Sequence, residues 1–299
     1  MLTNIDILHL EGFSLENKRS LYSTKFSDCI KISIFLSKLL NSKSNFFIDF
    51  IIYRGSLLVT IISISKINKL PSFKTHGQIS RADVENGLLE AMILESEKNG
   101  HFKRMPEPER NESRWKILSQ LPKKRDVWLY AYGSLIWSPM IDFSEKRHAI
   151  LFGYHRQFCM WTKLGRGTPQ RPGLTLALEP GGSNKGIAYR IPLQNIEKEL
   201  RIIWNREMIG GSYVPKIVKL HTVDGGKRDV ISAIAFVMNR SHENYTGKLD
   251  PKIMAKVIAS AEGPLGKCRD YLFNTVKHLD DLGLSDKKLS ELLKLVQAC

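Results

Sequence analysis

Four short segments of the sequence hold residues whose types and spacing could do chemistry. The first is Tyr132-Gly133-Ser134-Leu135-Ile136-Trp137, directly after the apolar run Val127-Trp128-Leu129-Tyr130-Ala131. A glycine in such a turn lets the backbone approach a ligand with no Cβ in the way. Successive N–H groups there form a nest suited to a carboxylate or to an oxyanion that develops during reaction. The second segment, Gly165-Arg166-Gly167-Thr168 with Pro172-Gly173 behind it, sets one guanidinium in a glycine-flanked loop. Arginine holds carboxylates bidentately. In the third, Arg206-Glu207-Met208 stands just before Gly210-Gly211. Glu207 falls in the last turn of a helical pattern, where the helix dipole is negative and disfavours a carboxylate. Partial burial beside Trp204 and Met208 would raise its pKa further, toward the range a general base needs. The fourth segment is Gly263-Pro264-Leu265-Gly266 followed by Tyr271-Leu272, which offers a tyrosine hydroxyl at a pocket edge. Taken singly, each also reads as ordinary structure: a strand-to-loop turn, a solvated basic loop, a surface glutamate and a break between helices.

Other chemistries find little support. There is no HExxH, and the eight histidines have no ligand spacing, so no metal is expected. The four cysteines, Cys29, Cys159, Cys268 and Cys299, form no CxxC pair and match no disulfide framework. Reduced thiols in the cytoplasm are the expectation. Ser134 lacks the GxSxG elbow of a serine nucleophile, and no P-loop is present.

The elements that must position these segments follow from periodicity. Residues 127–132 read as a strand ending at Gly133, and 148–158 and 174–178 as two more. Gly181-Gly182 reads as a turn before a strand at 186–191. Residues 196–208 are helical, with Ile196, Leu200, Ile203 and Trp204 on one face. Strands at 216–222 and 230–238 flank the turn Asp224-Gly225-Gly226. Residues 251–296 read as three helices broken at Gly263-Pro264 and Gly283. Strands, one helix, strands again and then helices make an α+β domain, not the alternation of a doubly wound sheet.

This domain occupies residues 126–299. Ahead of it, 81–97 has helical spacing, and the stretch with Pro106 and Pro108 reads as a linker or extended arm. Residues 1–80 show no motif and no clear element, and are expected to be a dispensable extension. The apolar stretch at 46–64 is interrupted by Asp49, Arg54 and Gly55, so no membrane insertion is expected. Neither is a secretory signal visible. A formal charge of +15 invites nucleic acid as a partner, yet Lys and Arg are spread along the chain with no basic run. Steering of a small anionic substrate uses the same charge, and no nucleic acid is expected.

In order, the segments resemble the ChaC family of γ-glutamylcyclotransferases, and most of all its bacterial branch. The resemblance rests on Tyr132 to Trp137, Gly153-Tyr154-His155-Arg156-Gln157-Phe158, the Gly-Arg-Gly-Thr loop, Gly186-Ile187-Ala188-Tyr189-Arg190, Arg206-Glu207-Met208, and Gly263 to Gly266 with Tyr271-Leu272-Phe273. Two positions depart from the family pattern: Ala131 stands where glycine is usual, and Cys268 where asparagine is frequent.

The resemblance implies a mixed β-barrel or sheet with surrounding and C-terminal helices. It implies Glu207 as the catalytic acid/base. It implies a substrate loop of Leu129, Tyr130, Ala131, Tyr132, Gly133 and Ser134, with Leu135, Arg166 and Tyr271 also on the substrate. The implied reaction cleaves glutathione to 5-oxoproline and cysteinylglycine without a cofactor. Alternatives are other γ-glutamyl compounds as substrates, or a non-enzymatic cation-transport regulator. The sequence leaves oligomeric state open.

Overall fold

The structure is a computed structural model that describes residues 80–85, 87–224 and 227–299, with the backbone of strands at 46–53 and 56–63. It divides into two compact units, residues 1–71 and 72–299. In the first unit, β1 (Phe46–Tyr53) pairs antiparallel with β2 (Ser56–Ser63), closing at Tyr53 opposite Ser56. The expectation of no regular element in this stretch is corrected. Two apolar runs rich in β-branched residues flank a two-residue connection, and that is enough for a hairpin.

The second unit opens with α1 (Arg81–Glu85), α2 (Leu88–Lys98) and α3 (Glu107–Leu118). The expected linker around Pro106 and Pro108 is therefore also corrected. Pro106 caps α3 and Pro108 lies in its first turn, where a missing N–H costs nothing. Arg110, Arg114 and Ile117 of α3 are buried, and Arg114 Nη2 pairs with Glu197 Oε1 at 2.7 Å.

Five strands then close into a barrel: β3 (Val127–Ala131), β4 (Glu145–Thr162), β5 (Gly173–Ile191), β6 (Tyr213–Asp224) and β7 (Lys227–Met238). Their spatial order is β3-β5-β4-β6-β7, and parallel pairing of Trp128 and Leu129 with Ala233 and Ile234 closes the ring. Contrary to expectation, Gly181-Gly182 does not end a strand. β5 runs through it, and the register with β4 shifts there from Phe152–Ser183 to Tyr154–Pro180. Gly153, Gly181 and Gly182 all have positive φ, so the glycines bend a continuous ribbon.

Helix α4 (Ile196–Glu207) joins β5 to β6. Its Leu200, Ile203 and Trp204 are at most 1% exposed, and the Trp204 ring meets Phe236 edge-on at 5.1 Å. Each such side chain contributes about 1.5–3 kcal/mol through burial, which fixes the helix and hence its last residue against the barrel. The chain ends in α5 (Pro251–Ser260), α6 (Cys268–Asp281) and α7 (Lys287–Gln297), with the two-residue strands β8 (Glu262–Gly263) and β9 (Gly266–Lys267) between the first two. Among the described residues, no helix is long and apolar enough to cross a membrane.

Candidate active site

Glu207 is the last residue of α4, and its side chain is 13% exposed. Its Oε1 is buried and accepts no hydrogen bond. Arg206 Nε lies 3.1 Å from that oxygen, near enough for Coulomb attraction. Loss of hydration raises the Glu207 carboxyl above the ordinary glutamate value, and Arg206 only partly opposes this.

Arg206 has a second task. Its Nη2 donates to Ser134 Oγ at 2.8 Å and its Nη1 to the Ser138 carbonyl at 2.6 Å. One guanidinium thus ties the turn after β3 to the end of α4. That turn is a short 3-10 segment, Ser134–Ile136, whose first bond runs from Ile136 N–H to the Gly133 carbonyl. The Ser134 and Leu135 N–H groups that lead it have no acceptor within the turn.

Tyr271 comes to the same place from α6. Its ring meets Trp137 at 6.0 Å and Phe158 at 5.9 Å, both edge-on. Burial pushes its hydroxyl up to about 12, so it is a neutral donor at any working pH. A Cβ added to Gly133 would lie 3.2 Å from that hydroxyl, so a side chain there would press on it.

The remaining glycine segments pack into one another. A Cβ at Gly167 would lie 2.1 Å from Gly173 N, and one at Gly263 would lie 2.4 Å from both Gly165 O and Gly167 O. Leu265 N–H donates to Gly165 O at 2.9 Å. Backbone crossing backbone with no room for a methyl group explains why three separated segments need glycine. It also removes the solvated-loop reading of Arg166, which is 5% exposed and donates to Lys267 O at 3.4 Å. Burial holds its pKa below the usual guanidinium value.

The two departures have local accounts. Ala131 ends β3, opposite Ile187, and its methyl is fully buried. Cys268 Sγ donates to the Leu174 carbonyl at 3.1 Å and accepts from Leu174 N–H at 3.4 Å. The thiol makes both the donor and the acceptor contact that an asparagine amide could make there.

A cleft of about 950 Å³ opens over Ser134, Trp137, Arg166, Arg206, Glu207 and Tyr271. Of the residues expected from sequence, Ser134, Arg166, Glu207 and Tyr271 line it. Leu129, Tyr130 and Ala131 are fully buried, Tyr132 and Leu135 are 6% exposed, and none of these five borders the cleft. Tyr130 donates to Asn184, and Tyr132 donates to the Phe236 carbonyl at 2.8 Å. Gly133 lies beneath the Tyr271 hydroxyl.

Sequence reasoning missed the anchoring role of Arg206, although it sits beside Glu207 in the motif. It also missed Tyr213, which lines the cleft and donates to the Leu176 carbonyl at 2.9 Å. Nothing in its local pattern marks Tyr213 out. Among the described residues, no three His, Cys, Asp or Glu gather where they could hold a metal ion.

This barrel with its helices has solved counterparts. A selenomethionine-labelled γ-glutamyl cyclotransferase specific to glutathione from yeast superposes with a TM-score of 0.55 at 23% identity, over 58% of this chain and 97% of that one. A second structure of the yeast protein gives 0.52 at 22% identity, over 58% and 98%. The fold is thus that of the γ-glutamyl cyclotransferases. In sequence, the glutathione-specific gamma-glutamylcyclotransferase of Escherichia coli is 41% identical over 176 residues, 59% of this chain and 75% of that protein. Glutathione-specific gamma-glutamylcyclotransferase 1 of Homo sapiens is 29% identical over 148 residues, 49% and 66%. The family model for ChaC-like proteins matches residues 127–299, and the chain belongs to that family.

Proposed function

We propose that the protein is a glutathione-specific γ-glutamylcyclotransferase. The observation that carries this is the buried Glu207 carboxyl at the cleft, with one oxygen lacking a hydrogen-bond donor. A buried acceptor left open costs stability and is a mark of function. Here it suits an ammonium donor.

The glutamyl amine of the substrate enters as ammonium and cannot attack until it loses a proton. Glu207, its basicity raised by burial, accepts that proton. The freed amine attacks the γ-carbonyl of its own side chain and a five-membered ring closes. Because nucleophile and electrophile share one molecule, holding the chain curled replaces much of the entropic barrier, with effective molarities up to about 10⁵–10⁸ M. The developing oxyanion needs donors. The Ser134 and Leu135 N–H groups and the neutral Tyr271 hydroxyl are suited to that task. The protonated Glu207 then returns its proton to the leaving nitrogen as the C–N bond breaks, and the second proton of the attacking nitrogen passes to the released amine, giving 5-oxoproline and cysteinylglycine with its amine as ammonium. Arg206 keeps the loop and the carboxyl in register. The buried thiols Cys159 and Cys268 suit a reducing cytoplasm, where this substrate keeps its own thiol.

The test is purified protein with glutathione and detection of 5-oxoproline. Turnover of glutathione is expected, with little on glutathione disulfide, because the cysteinyl group sits inside the cleft. Equal rates on the disulfide would overturn the pocket reading. Faster turnover of other γ-glutamyl compounds would overturn the specificity.

A further inference from the structure

One wall of the cleft comes from residues that precede the ChaC-like region. The loop between α2 and α3 contributes Phe102, Lys103, Arg104 and Met105 to the lining, while the family model begins at residue 127. This loop is fastened to the turn that follows Glu207. Met105 N–H donates to the Ile209 carbonyl at 2.7 Å, and a Cβ at Gly210 would lie 3.2 Å from the Phe102 ring. Behind it, Arg110 Nη1 donates to the Met105 carbonyl. The loop therefore borders the cleft beside the turn that follows Glu207.

The lysines and arginines of the cleft are nearly all engaged. Arg206 is held by Ser134 and Ser138. Arg104 pairs with Glu97 and with Glu90, each at 2.6 Å. Lys163 lies 3.9 Å from Glu243, and Arg166 is buried against the Lys267 carbonyl. Lys103 is exposed at the cleft and makes no ion pair or side-chain hydrogen bond with the described residues.

Resting on the glutathione reading, we infer that this loop recognises the leaving dipeptide, with the Lys103 ammonium taking its terminal carboxylate. A substrate anchored only at its glutamyl end would place that carboxylate about 7 Å beyond the scissile carbon, two residues of extended chain, and so toward the rim of the cleft. An unpaired lysine at the rim matches it in charge. Lys103 is then a specificity residue that acts on binding and leaves the proton transfers to Glu207. Its contribution falls on KM, since the carboxylate is equally charged in ground and transition states.

The experiment measures kcat and KM of Lys103→Ala and Lys103→Glu with glutathione and with its glycyl amide, which lacks the terminal charge. Lys287→Glu, at a 90% exposed side chain on α7, controls for the change in net charge. Lys103→Ala should raise KM for glutathione about three- to fivefold, the reach of an exposed ion pair, and Lys103→Glu about tenfold, with kcat and melting unchanged. The unsubstituted protein should lose a similar factor on the amide, and Lys103→Ala should add little to that loss. Equal losses on both substrates, an unchanged KM, or a fall in kcat alone would overturn the inference. Absence of any turnover by the unsubstituted protein would instead strike the glutathione reading, and this inference with it.

Discussion

Helix α4 carries a carboxylate near each end, the buried Glu199 and the largely covered Glu207, eight residues or about 12 Å apart along its axis. Glu199 is 0% exposed and fully occupied. Arg81 Nη1 donates to its Oε2 at 2.8 Å, Arg81 Nη2 to its Oε1 at 3.1 Å, and Asp142 N–H to Oε2 at 3.0 Å. Glu207 is 13% exposed, but its Oε1 is fully covered and accepts nothing. Desolvating a carboxylate is costly unless charge and hydrogen bonds return what hydration supplied. Glu199 recovers that loss from α1 and the loop before β4, so it is an anchor. Glu207 recovers only the Arg206 attraction, so its proton affinity rises, as the proposed role of base requires. Burial alone does not separate structure from catalysis; what occupies the lone pairs does.

The comparison breaks or holds first at Glu207. Glu207→Gln should lower kcat about 10³–10⁴-fold, because one group serves both proton transfers and the amide can accept neither. The protein should stay folded and still bind glutathione. A variant keeping more than about a tenth of the original kcat would remove Glu207 from the mechanism.

Glu199→Ala should show the reverse pattern. Breaking a buried pair costs about 3–5 kcal/mol, and Arg81, with its side chain 21% exposed, can rehydrate in part, so about 3 kcal/mol is expected in urea unfolding. The kcat of the folded fraction should stay near normal. A chain beginning at residue 80 should keep full stability and activity, whereas one beginning at residue 88 leaves Glu199 buried without Arg81 and should lose more than Glu199→Ala. A catalytic loss at Glu199 without a stability loss would erase the distinction.

The smallest effect is the pH dependence of stability. Burial raises the folded-state pKa of Glu207 above its unfolded value. Above the raised value the folded protein carries an ionised, poorly hydrated carboxylate. As pH falls through that value toward the ordinary glutamate value of about 4.3 the group takes a proton and the penalty disappears. Glu207→Gln should therefore melt slightly higher than the unsubstituted protein at neutral pH, and the gain should vanish at acid pH. A gain that persisted at low pH would assign the effect to the helix dipole or to packing.

Part of the candidate site was legible from local rules: Ser134, Arg166, Glu207 and Tyr271 line the cleft, whereas Leu129, Tyr130, Ala131, Tyr132 and Leu135 do not border it. Glu207 stood out through its place in the last helical turn and the glycines behind it. Ser134, Arg166 and Tyr271 stood out through glycine-rich turns, which signal close backbone approach whatever the partner. The resemblance tied these segments to one family and its fold. Other readings failed where the deciding partner was remote in sequence. Gly181-Gly182 looked like a turn because only the opposing Gly153 on β4 makes the pair a bend in one ribbon. Pro106 and Pro108 looked like a linker because only the packing of Arg114 and Ile117 shows that a helix begins there.

By itself, then, the sequence determined where most barrel strands and the helix bearing Glu207 lie, since periodicity and capping act over a few residues. Tertiary packing, by contrast, is what requires glycine at Gly167, Gly173 and Gly263, where backbone crosses backbone. Tertiary structure decided which of two glutamates on one helix keeps an open oxygen, and that Arg206 joins the β3 turn to Glu207. It also decided that a loop upstream of residue 127 walls the cleft. Each of those depends on desolvation and hydrogen-bond partners supplied from dozens of residues away, and no local pattern encodes which partner arrives.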